Sequence, residues 1–127
     1  MKLKINDRKT IKIMQAEFNS MFPYLKLEVF SHSPQQEGGT AKKFMMEKYK
    51  TINECRAVHH NGELEIEPDM TTAALENKFS SSYGLSVQVF RKSGKVWLET
   101  TTTDHLTLSE QNKLGEDHCN LQNKMTA

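Results

Sequence analysis

The sequence predicts an α+β domain, a two-layer sandwich of ferredoxin-like type, and three observations carry that prediction. Residues 3–30, LKINDRKTIKIMQAEFNSMFPYLKLEVF, and residues 64–90, LEIEPDMTTAALENKFSSSYGLSVQVF, share one plan: a short alternating strand, an amphipathic helix and a second alternating strand ending in Phe. The second copy is followed by RKSGKVWLET, whose central Ser-Gly marks a hairpin. At 127 residues the chain is long enough for one hydrophobic core and too short for two. Right-handed crossovers would place both long helices on one face of a shared sheet, whose strand order the sequence leaves open.

The elements follow in order. Leu3 and Ile5 alternate with Lys2 and Lys4, the period of a strand with one buried face. Asp7 is the expected helix cap, and Ile11, Met14, Phe18, Met21 and Phe22 recur at the spacing of one helical face. Pro23 cannot continue that helix, and Leu25, Leu27 and Val29 then alternate with Lys26, Glu28 and Phe30. The segment SHSPQQEGGTAKK has little to bury and reads as a solvated loop. Phe44 to Tyr49 reads as a strand, and Thr51 with Glu54 has the spacing of a capping box before a short helix.

The second unit opens with Leu64 and Ile66 flanked by glutamates, and Pro68 ends the strand. Thr71 is the expected N-cap, with Met70 and Leu75 forming a hydrophobic staple; Phe79 and Tyr83 continue the stripe and Gly84 stops the helix. Leu85, Val87 and Val89 alternate with Ser86, Gln88 and Phe90. After the turn, Val96 and Leu98 occupy one strand face, Trp97 and Glu99 the other. Thr107 and Glu110 form a second capping-box pair, opening a short helix to about Leu114. The domain is thus expected over residues 1–114, with 115–127 a polar, disordered tail.

Composition narrows the function. Seventeen basic residues against sixteen acidic ones leave a net charge of +1, which supplies no global field for nucleic acid or an anionic membrane. No apolar run approaches the ~20 residues of a membrane span, and a cytoplasmic setting is expected. Cys55 and Cys119 are far apart and lack a CxxC partner, so two reduced thiols are expected, with neither a disulfide scaffold nor a zinc ribbon.

The alternation also assigns the outer face of the shared sheet: Lys2, Lys4, Lys26, Glu28, Phe30, Glu63, Glu65, Glu67, Ser86, Gln88, Phe90, Trp97 and Glu99. Most are polar, so the face is expected to be wet, with Phe30, Phe90 and Trp97 as an apolar cluster. Either the chain's own loops cover these rings, or they form a contact surface. RNA-binding domains of this architecture stack bases on such aromatics. Here Glu28, Glu63, Glu65, Glu67 and Glu99 would repel phosphates, which disfavours nucleic acid.

Arg91, Lys92 and Lys95 gather near Gly94 and are candidate ligands for a phosphate, although the GxxxxGK[ST] framing of a P-loop is missing. His32, His59, His60, His105, His118 and Cys119 are scattered, so no metal site is expected. Asp104 could orient His105, yet no Ser or Cys stands in a nucleophile motif, so no catalytic residue is assigned.

The segments FPYLKLEVF, VFRKSGKVWLETTTTD and LSEQNKLGE resemble those of small bacterial hypothetical proteins with no assigned activity, over most of the chain except the tail. The resemblance carries over no catalytic residue and implies that the hairpin and the following QN segment form one structural unit. The resulting expectation is a non-enzymatic protein-interaction or assembly module without a cofactor, a homodimer joined through Phe30, Phe90 and Trp97. The alternative is a small-ligand or phosphate-binding domain, with or without enzymatic activity, using Arg91, Lys92 and Lys95.

Overall fold

The computed structural model describes residues 1–31 and 44–126; most of the segment read as a solvated loop, residues 32–43, lies outside them. Strand β1 spans Lys2–Ile5, helix α1 Ile11–Met21 and strand β2 Leu25–Phe30. A 3-10 turn at Ile52–Cys55 precedes β3, Gly62–Glu65, and α2, Thr72–Tyr83. Strands β4, Ser86–Ser93, and β5, Val96–Glu99, lead through a second 3-10 turn, Thr101–Thr103, to helix α3, Leu108–Thr126.

Hydroxyl caps set the helix starts. Thr10 accepts from the Ile13 amide at 3.3 Å, and Thr71 accepts from Ala74 at 3.1 Å. The cap of α1 is therefore Thr10 and not Asp7, whose carboxylate is engaged by Arg56. Gly84, at φ 63°, ends α2 in the left-handed region that favours glycine. The capping boxes form as read: the Thr51 amide donates to Glu54 Oε2 at 3.2 Å, and that of Thr107 donates to Glu110 Oε1 at 2.9 Å.

The strands do not share one sheet. β1 pairs with β3, and β2, β4 and β5 form a second sheet in that order, every ladder antiparallel. The single ferredoxin-like sheet expected from the repeat is thus divided, because each strand pairs with its counterpart in the other unit. Leu3 stands opposite Leu64 and Glu28 opposite Gln88, each the same position of the repeat. Antiparallel pairing centred on equivalent residues relates the two units by a local two-fold axis.

The duplication extends past the second strand. Thr10 bridges Thr51 as Thr71 bridges Thr107. Ile11 and Lys12 donate to the carbonyls of Lys50 and Lys48, as Thr72 and Ala73 donate to those of Leu106 and Asp104. Ile52 donates to Lys9 as Leu108 donates to Met70. Each unit therefore reads β-α-β-β-α. In the first, the fourth element is a single bridge from Phe30 to Met45, where a full strand was expected over Phe44 to Tyr49, and the fifth is a 3-10 turn.

One core unites the units. Leu3, Ile5, Leu64 and Ile66 meet Ile11, Met14, Phe18, Leu75 and Phe79 from the helices, and Leu25, Leu27, Val29, Leu85, Val87 and Val89 from the larger sheet. All are buried, as the alternation required. Residues 115–126, read as a frayed tail, continue α3 as helix. That helix lies close on the sheet: the Tyr24 amide donates to Asn112 Oδ1 at 2.9 Å, and a Cβ added at Gly115 would meet Tyr24 Cβ at 2.7 Å.

Candidate interaction surface

Register assembles the outer face of the larger sheet. Lys26 stands opposite Phe90, Glu28 opposite Gln88 and Phe30 opposite Ser86; on the other side of β4, Phe90 faces Glu99 and Lys92 faces Trp97. Phe30 is 1% exposed and Phe90 8%, and they pack with Phe44, Met45 and Trp97 as a small second core. The face expected to be wet is largely closed. Residues 44–45, bridged to Phe30, supply part of the cover, so two of the three aromatic residues assigned to an interface are covered within the chain.

Charge completes this cluster. Lys26 Nζ lies 5.0 Å from the centroid of the Trp97 ring and 5.7 Å from that of Phe90, and 3.1 Å from Glu28 Oε1. A cation over two ring faces holds the indole against the sheet, and the carboxylate keeps the cation partnered. Glu28 and Gln88 are themselves buried, and Gln88 Nε2 donates to Thr101 Oγ1 at 2.6 Å. Trp97 is half-buried at the rim.

What stays open lies beside it. Strand β5 ends the sheet, and among the described residues its outer edge pairs with nothing. Val96 is 56% exposed and Leu98 40%, and Lys95 and Glu99 at the two ends are exposed as well. Gly94, at φ 62°, supplies the positive dihedral of the two-residue turn that launches the strand. An unpaired strand with apolar residues on its face is a template for another strand.

The basic hairpin residues do not converge. Arg91 and Lys92 are neighbours on β4 and point to opposite faces. Arg91 turns toward α3, its Nη1 donating to Gln111 Oε1 at 2.9 Å, with Gln111 fully buried and bonded in turn to Thr103. Lys92 shares the outer face with Trp97, and Lys95 extends from the turn.

The most elaborate polar site is one that the pattern of the sequence did not mark. The Arg56 side chain is fully buried, and its guanidinium donates to Asp7 Oδ1 from Nε and Nη2, to the carbonyls of His60 and Tyr83 from Nη1, and to Asn61 Oδ1 from Nη2. All five donors are used, tying the β1–α1 loop to the β3 approach and the end of α2. His59 Nδ1 lies 3.0 Å from Asp7 Oδ2. Burial would raise the Asp7 carboxyl, and the bonds from His59 and Arg56 outweigh it and hold it below the usual carboxylate range. With every donor satisfied inside the chain, this cluster is a clamp between the units.

Among the described residues no three His, Cys, Asp or Glu side chains group as metal ligands, and no helix is long and apolar enough to cross a membrane. A shallow groove of about 470 Å³ runs along α3 beside Leu106, Ser109, Glu110, Lys113 and Leu114. Its charged groups are engaged locally, the Glu110 carboxylate by the Thr107 amide and Lys113 by Asp117 at 3.2 Å. No protein-family model, curated protein or solved structure matches the chain, so function is read from geometry alone.

Proposed function

We propose that this chain is a non-enzymatic protein-interaction module that assembles with itself, as a homodimer in a reducing, cytoplasmic setting. One observation carries the reading: among the described residues β5 is an open sheet edge bearing two exposed apolar side chains, Val96 and Leu98, beside an indole held in place by Lys26. The contact surface is this edge with the Trp97 rim rather than the faces of Phe30 and Phe90, which already form a core. Covering apolar area contributes about 25 cal/mol for each Å² removed from water. The alternative, anion binding at Arg91, Lys92 and Lys95, would need their charges to converge, and Arg91 lies on the opposite face from Lys92, bonded to Gln111 of α3.

The test is light scattering of the full chain from micromolar to millimolar concentration, beside a variant carrying Val96→Lys and Leu98→Lys. The chain itself should approach twice the monomer mass. The variant should associate about a hundredfold more weakly, as loss of ~3 kcal/mol from four side chains in a symmetric contact implies. A monomer at every concentration would end the homodimer reading.

A further inference from the structure

We infer that the second copy adds to β5 as an antiparallel strand centred on Trp97, joining two three-stranded sheets into one of six. The inference rests on the interaction reading above and specifies its geometry.

The backbone sets the axis. A two-residue turn closes the β4–β5 hairpin with Ser93 opposite Val96, so Ser93 with Val96 and Arg91 with Leu98 are the hydrogen-bonded pairs of the ladder. Val96 and Leu98 thus direct their N–H and C=O groups to β4. Trp97 and Glu99 direct theirs outward, to the free edge. A two-fold axis at Trp97 lets the two Trp97 residues exchange both backbone bonds.

The side chains select the same register. A sheet continued through a two-fold axis normal to it keeps its two faces distinct only if residues of the same face pair across the junction. With Trp97 at the axis, Val96 meets Leu98 of the second copy, and Lys95 meets Glu99 of the second copy, each twice by symmetry. The strand Lys95-Val96-Trp97-Leu98-Glu99 is complementary to its own reversal, acid against base at the ends and apolar against apolar inside. A slip of two residues either way breaks both Lys–Glu pairs. A different protein would have to present that same pattern, whereas a second copy presents it by construction.

The experiment is a charge exchange on the full chain, read by sedimentation equilibrium. Lys95→Glu alone and Glu99→Lys alone each set like charges opposite one another twice, and each should weaken the dimer about tenfold. An equimolar mixture of the two variants restores opposite charges at both ends and should recover the parent dimer's affinity. Both positions are exposed, so circular dichroism should match the parent chain. A parent dimer left unchanged by either substitution would overturn this register while leaving self-association standing. A parent chain that stays monomeric would overturn both.

Discussion

Glu76 shows most clearly at the residue scale what the sequence conceals. It lies in α2 as one polar residue among several, yet its carboxylate accepts from the Val89 amide at 2.9 Å against the sheet. Burial pushes its pKa up to about 7, against the pull of the Val89 amide and with the negative charge of Asp104 adding to the rise. A folded pKa above the unfolded value of 4.5 means that this group's stabilising contribution is complete below pH 4.5 and is lost as the pH rises through about 7. Glu76→Gln keeps an acceptor for Val89 and removes the charge. Urea unfolding should show the variant more stable by about 1–3 kcal/mol at pH 8 and unchanged at pH 4. Arg56 was hidden for a related reason: its partners Asp7, Asn61 and the Tyr83 carbonyl come from three separate stretches of chain, and no local pattern announces a pairing made only by the fold. Asp7 was the expected cap by residue type; Thr10, directly before Ile11, takes that place, and the Asp7 carboxylate is bonded to Arg56.

At the scale of elements, periodicity was legible wherever one face is buried. Ile11, Met14 and Phe18 of α1, Leu75 and Phe79 of α2 and the apolar series of β2 and β4 are buried as their spacing required. The opposite face of those strands, with Glu28, Phe30, Gln88 and Phe90, is buried as well, which alternation did not reveal. Strand partners were not legible, because alternation assigns a face and says nothing of the neighbour along the edge. The length of α3 escaped for another reason: the polar stretch after Leu114 has no clear apolar period, and Gly115 within it is a point of close approach. The absence of a side chain lets α3 rest against Tyr24, with Arg91 Cγ at 3.3 Å from where a Cβ would stand. Gly115→Ala should therefore destabilise despite the better helix propensity of alanine. The expected net loss is about 1–2 kcal/mol in urea unfolding, the crowding exceeding the ~1 kcal/mol gained in the helix.

For the molecule as a whole, the repeat is a pairing rule. Each unit completes its sheets with strands from the other, and β2 and β4 meet at the local two-fold axis beside Glu28 and Gln88. The outer clusters then differ by unit. On the first, Met45 bridges Phe30 at a single point; on the second, β5 runs as a full strand whose far side is open among the described residues. Phe30, Phe90 and Trp97 were legible as one cluster, because all three fall on one face by alternation. Cover by the chain's own loops was one of two open readings, and the residues that supply part of it, 44–45 bridged to β2, were not legible. β5 thus keeps an open edge among the described residues, and a second copy would pair that edge by the same antiparallel symmetry that joins the units.

Hydrogen exchange of the β5 amides, followed by NMR against protein concentration, tests this most directly. The amides of Val96 and Leu98, bonded to β4, should be protected at every concentration. Protection of Trp97 should grow as concentration rises through the dimer's dissociation constant. A Trp97 amide that exchanges equally fast at all concentrations would contradict pairing at this edge.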